Sequence, residues 1–190
     1  EDFMDGVRKK YDSVPLILYG HSMGGGIVLN YGLDEKRPQP QGIIATSPAL
    51  RMTAPQIQQS MAKAAARVVP RLTMKSGLPV EKLSRDPKIV QAYQQDTLVH
   101  DKISVALAAA LFEKGKAALD AADSWSLPLL LFHGGADGIC DPKGSREFAQ
   151  RAPQVQYKEW PNAYHELHNE PIQDHVLAEI TQWLQGFTVS

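Results

Sequence analysis

The chain has 190 residues, 43% of them hydrophobic, which suits one domain with a sizeable core. Twenty lysines and arginines against 21 acids leave a formal net charge of -1, which speaks against a nucleic-acid partner. Cys140 is the single cysteine, excluding an intrachain disulfide and a cysteine-cluster metal site; Ile103 to Phe112 is too short and too alanine-rich to cross a bilayer, which needs about 20 apolar residues.

Glu1 to Tyr11 (EDFMDGVRKKY) reads as an amphipathic helix with Phe3, Val7 and Tyr11 along one side. It starts on glutamate rather than methionine, as a cut inside a domain would. After a turn at Asp12 and Ser13, Pro15 to Tyr19 carries an unbroken apolar and aromatic run, the pattern of a strand buried on both faces of a parallel sheet. Gly20-His21-Ser22-Met23-Gly24 then fits G-x-S-x-G, the tight turn that passes from strand to helix with a serine at its apex. A glycine-rich turn whose serine only caps a helix is the plainer reading; the strand pattern before and the helical spacing after it favour the exposed serine.

A helix from Met23 to Leu33 follows, and Gly42 to Thr46 (GIIAT) is the next buried strand, broken by Ser47-Pro48 at the carboxyl edge where ligand sites of open α/β sheets lie. From Arg51 to about Trp125 the strand pattern gives way to helical periodicity. Ile57, Met61, Ala65 and Val68 mark one helix, and Val105, Ala108, Leu111 and Phe112 another. The expected organisation is therefore a core of residues 1–50 and 126–190 with a helical cap inserted over 51–125. Between Lys36 and Val80 lie seven lysines or arginines and no acid, which fits either a lid attracted to anionic lipid or a solvated cap face.

Leu127 to His133 restores the buried-strand pattern, and Gly134 to Gly138 forms a loop at its carboxyl end. Asp141-Pro142 opens a helix, with the aspartate as N-cap. Val155 to Trp160 is a last strand, Tyr164 to His168 the loop after it, and about Pro171 to Gln185 a final helix burying Ile172, Val176, Ile180 and Leu184.

Ser22, Asp137 and His165 fall in the chain order serine, acid, histidine of an α/β-hydrolase, each after an expected strand. A serine hydroxyl is a poor nucleophile at neutral pH, so a histidine must take its proton and return it to the leaving group while a carboxylate fixes the imidazole tautomer. Asp141 is the alternative acid, though the helix cap already explains it; His168 is the alternative base, three residues on. His21 is expected to support the turn, His133 to pack in the core, and His100 and His175 to lie on the cap and surface. The backbone N–H of Met23, at a helix start, is the expected oxyanion donor. The second donor normally follows an earlier strand, and nothing before Ser22 supplies it. No cofactor and no metal is expected.

GHSMGG, LSRDPKIVQAYQQDTLVH, LLLFHGGADGICDP and YHELHNEP together resemble the monoacylglycerol lipases, or lysophospholipases, of the α/β-hydrolase superfamily, of the serine aminopeptidase S33 type. The likeness runs over most of the chain. It implies an α/β fold with a mostly parallel, doubly wound sheet and an inserted helical cap, with the amino-terminal strands of the family missing. It implies further a serine hydrolase of lipid esters acting through Ser22, Asp137 and His165, with a small-molecule lipid ester as partner; peripheral membrane-surface contact through the cap stays one of the two alternatives that its basic charges leave open. Tyr93 and His168 would lie near the glycerol end of the pocket, and Ile139 with Cys140 beside the triad. A short-chain carboxylesterase or thioesterase with the same triad is the alternative activity, and a non-catalytic fragment or binding module lacking half the oxyanion hole is the alternative of another class.

Overall fold

Four strands stack in parallel in the order β1 (Ile17–His21), β2 (Gly42–Thr46), β5 (Leu129–Gly134) and β6 (Val155–Trp160). The computed structural model describes residues 2–187; Glu1 and residues 188–190, which close the expected first helix and core segment, lie outside the described residues. The unbroken apolar runs of β2 and β5 follow from burial on both sheet faces, since successive side chains point to opposite sides. β1, at one end of the strand order, is only half-buried and leaves Tyr19 49% exposed, against the expectation for Pro15 to Tyr19. Leu18, Ile43, Ala45, Leu129 and Leu131 face one core with Leu29, Trp125 and Phe148. Ile17, Ile44, Leu130 and Phe132 face the other, with Trp160, Leu167 and Val176.

The helices α2 (Met23–Gly32), α5 (Val105–Asp120) and α6 (Pro142–Arg151) contribute to the first core, and α7 (Gln173–Gln185) to the second. β1 runs on past the expected Tyr19, because Gly20 and His21 still pair with Ala45 and Thr46 although neither is apolar. In α1 (Asp2–Lys10) the expected stripe is not the packed one. Phe3 is 82% exposed and Tyr11 is exposed, while Met4 is buried.

Between β2 and β5 the chain forms α3 (Gln56–Val68), α4 (Pro87–Gln95) and α5, plus a short antiparallel pair, β3 (Thr73–Lys75) with β4 (Lys102–Ser104). Sequence periodicity did not announce that pair, since three-residue strands are too short to show an alternation. α3 packs against α5, yet Ile57, Met61 and Val68 are 71%, 66% and 80% exposed. Gln59, Ala62, Lys63, Ala65 and Ala66 are its half-buried residues among those described. The packing also changes before the expected boundary at residue 125. Ala118, Leu119, Ala122 and Trp125 belong to the first core, so the far half of α5 is a core helix. No helix among the described residues is long and apolar enough to cross a membrane.

Candidate active site

Four strand ends meet at one rim because each following loop hydrogen-bonds to its neighbour. Ser22 N–H donates to Thr46 O at 3.0 Å, Ser47 N–H to Phe132 O at 2.8 Å, and Gly135 N–H to Trp160 O at 2.9 Å. Parallel strands of matched register therefore deliver Ser22, Asp137 and His165 to the same edge.

Ser22 sits at φ 54°, ψ -117°, a conformation a non-glycine residue rarely adopts. The turn is over-determined: Ser22 O accepts from Gly26 N–H at 3.1 Å and from Ala49 N–H at 3.0 Å. A Cβ on Gly20 would lie 2.3 Å from Gly24 O, so the strand-to-helix turn closes only on glycine. Met23 is the first residue of α2, and its N–H has no intrahelical acceptor. Burial, then nearby Asp137, push the ionisation of the Cys140 thiol well above the ordinary range, with the neighbouring Ser22 hydroxyl opposing them, and the thiol donates to Met52 Sδ at 3.8 Å.

Asp137 and His165 are 7% and 3% exposed, and His165 Nδ1 lies 2.7 Å from Asp137 Oδ2. Asp137 Oδ1 accepts from the Ile139 and Cys140 N–H groups at 2.8 and 3.0 Å. Burial works against the charged carboxylate, but the hydrogen bonds from His133 and His165 outweigh it and hold Asp137 well below the usual carboxylate range. The alternative acid, Asp141, caps α6, its side chain accepting from Lys143 N–H at 3.0 Å.

The His165 backbone is held from two sides. Its N–H donates to Lys82 O at 3.2 Å and its carbonyl accepts from Ser47 Oγ at 2.7 Å. His21, next to Ser22, supports the turn as expected, with Nδ1 3.0 Å from Thr46 Oγ1, and its ring centroid is 4.8 Å from that of His165. Burial, then the neighbouring His165 and His168, push His21 down to about 3. His168 stands edge-on to His21 at 4.9 Å, and its Nδ1 is buried with no hydrogen-bond partner. Tyr93 and Ile139 come together in one apolar cluster with Leu83 and Cys140.

Sequence reasoning missed two supports. His133 is fully buried as expected, but it faces Asp137, with Nε2 3.2 Å from Oδ2. Arg85 and the buried Glu170 form an ion pair, and Ser84 Oγ donates to Asn169 O at 2.7 Å, stitching the approach to α4 onto the loop that bears His165. The only prior signal for the pair was one buried-type position holding a charge, which no spacing rule detects. Among the described residues no group of three or more His, Cys, Asp or Glu side chains is arranged to hold a metal ion.

The family model described as serine aminopeptidase S33 matches residues 1–172. The chain belongs to that family. Within the α/β-hydrolase superfamily it is 36% identical to a monoacylglycerol lipase of Mycolicibacterium smegmatis, over 92% of this chain and 63% of that protein. It is 34% identical to an uncharacterised abhydrolase domain-containing protein of Dictyostelium discoideum, over 90% of this chain and 19% of that one. The crystal structure of a Paleococcus ferrophilus monoacylglycerol lipase superposes with a TM-score of 0.89 at 32% identity, covering 98% of this chain and 74% of that one. A soluble variant of the Saccharomyces cerevisiae monoglyceride lipase, solved with a substrate analogue, gives 0.89 at 25% identity, covering 100% and 68%. The chain thus spans less than two thirds of the curated relatives just named.

Proposed function

We propose that this chain carries the acyl-transfer centre of a serine hydrolase that cleaves monoacylglycerols, or similar single-chain lipid esters such as lysophospholipids, to a fatty acid and an alcohol. Ser22 is the nucleophile. His165, held by Asp137 through Nδ1, uses Nε2 to take the Ser22 proton as Oγ attacks the ester carbon. The oxyanion receives the Met23 N–H at the positive end of α2. Collapse breaks the ester bond, and His165 returns its proton to the glycerol oxygen as that group leaves. Water, deprotonated by His165, then attacks the acyl-enzyme and releases the fatty acid while Ser22 regains its proton.

The observation that carries this reading is the 2.7 Å Asp137–His165 bond on the same sheet edge as a serine held at positive φ. A groove of about 530 Å³ lined by Met23, Ile27, Ala49, Leu107, Ala110 and Leu111, with Asn30, Asp34, Arg37 and Lys114 also on its walls, has apolar surface that suits an acyl chain. Tyr93, Ile139 and the unpartnered Nδ1 of His168 suit the glycerol end. A fluorophosphonate probe should label the protein and spare its Ser22→Ala variant, and long-chain monoacylglycerols should be hydrolysed faster than short-chain esters. Equal labelling of both proteins would end the proposal, and a preference for short chains would turn it into the carboxylesterase reading.

The cap also suits a lipid surface. Ile57, Met61 and Val68 stand exposed on α3 in a segment whose charges are Lys63, Arg67, Arg71 and Lys75, all basic. An apolar face with a cationic rim matches the boundary of an anionic bilayer. Co-sedimentation with phosphatidylserine vesicles should exceed that with neutral vesicles and fall in an Ile57→Ser, Met61→Ser double variant; equal binding to both vesicle types would discard membrane docking through the cap.

A further inference from the structure

The acid of the site is held from behind by a second histidine. His133 and Ser145 are fully buried, one at the end of β5 and the other on α6. His133 Nε2 faces two acceptors, Asp137 Oδ2 at 3.2 Å and Cys140 O at 3.1 Å, so that nitrogen must carry a hydrogen. His133 Nδ1 lies 2.7 Å from Ser145 Oγ, a hydroxyl able to donate to it. One arrangement satisfies all of these groups with a neutral ring: Ser145 O–H donates to Nδ1, and Nε2–H donates to the carboxylate and the Cys140 carbonyl.

We propose that His133 is a positioning residue for the acid, its tautomer fixed by Ser145, and that it sets how strongly Asp137 acts on His165. The carboxylate divides its negative charge between two imidazole donors. Each N–H it accepts on the His133 side lowers the charge density it presents to His165, and so weakens its stabilisation of the His165 imidazolium. Removing the rear donor should make that imidazolium easier to form. The other groups facing His165 do not reverse the sign. His21, at the end of β1, stays neutral because burial holds it near 3; His168 on the same loop is also pushed down by burial; Glu166, adjacent in sequence, acts alike in every variant.

The roles of Asp137 and His165 in this inference rest on the proposed function, but the first test reads the pair whether or not the protein hydrolyses anything. Histidine ring nitrogens are assigned by long-range proton–nitrogen NMR, and the His165 Nδ1 proton is followed against pH. In the unmodified protein His133 should show Nε2 protonated and Nδ1 bare. In His133→Phe the His165 transition should move upward by about one pH unit, the size expected for losing one hydrogen bond to a charged group. His133→Gln, whose amide can still donate to Asp137, should stay near the unmodified midpoint. Ser145→Ala should shift it in the same direction by less, and it carries the test if His133→Phe fails to fold. The low-pH limb of kcat/KM on a soluble ester should move with the NMR midpoint. Protonation of His133 at Nδ1, or equal midpoints in His133→Phe, Ser145→Ala and the unmodified protein, would overturn the proposal. Absent hydrolysis with the NMR shifts intact would sink the functional reading alone.

Discussion

Asp137 shows how a single side chain is made reliable. Its carboxylate is nearly closed off from solvent, accepts two backbone N–H bonds on one oxygen and faces two imidazoles on the other. Asp137→Asn keeps the shape but offers an amide where an acceptor is needed, and kcat on a soluble ester should fall by about 10⁴-fold, as for acids in comparable serine triads. Acid should cost stability through Asp137 and His21 among other groups. Because Asp137 is held low, its contribution is present above its unfolded value near pH 4 and is lost as pH falls further. His21, pushed down to about 3, binds a proton in the unfolded chain but not in the fold between about pH 6.5 and 3. Stability therefore drops with acidification across that window, by up to about 1.4 kcal/mol per pH unit from this residue. Thermal unfolding at pH 7 and pH 4.5 should show the loss, and His21→Gln should flatten it.

At the scale of elements, the strand ends matter more than the strands. A Cβ on Gly134 would lie 2.1 Å from Tyr164 O, so the end of β5 and the backbone beside His165 approach as closely as they do only because residue 134 has no side chain. Gly134→Ala should destabilise the fold by about 1–3 kcal/mol in urea unfolding and lower activity as well, since relief of the clash moves His165 away from Asp137. The buried strands β2 and β5 were legible from sequence because both of their faces are apolar, and the α6 start because Asp141 and Pro142 have fixed positional meanings. The apolar stripe of α3 was legible as a helix but not as an exposed surface. A hydrophobic period identifies a face, and only the packing partner says what covers it.

For the whole molecule, the important join is between the segment inserted between β2 and β5 and the end of the sheet. Glu170 is buried against Arg85, and Glu166 N–H donates to Leu83 O at 2.8 Å, so the approach to α4 is tied to the loop bearing His165. Glu170→Gln removes the buried partner of a part-exposed arginine and should cost about 2 kcal/mol, the loss of a hydrogen bond between charged groups, read as a lower urea midpoint, with a fall in kcat beyond what reduced folding explains. By itself the amino-acid sequence determined the parallel α/β core and the turn at Ser22, and it picked out Asp137 and His165 as candidate second and third members of one chain order. Those features are local, being written in runs, caps and turns of a few residues. Tertiary structure alone decided that His133 stands behind Asp137, that Glu170 pins the approach to α4, and that Ile57, Met61 and Val68 face outward. Each of those depends on which distant backbone passes nearby, and burial, hydrogen bonding and charge between residues far apart in the chain leave no periodic trace in it.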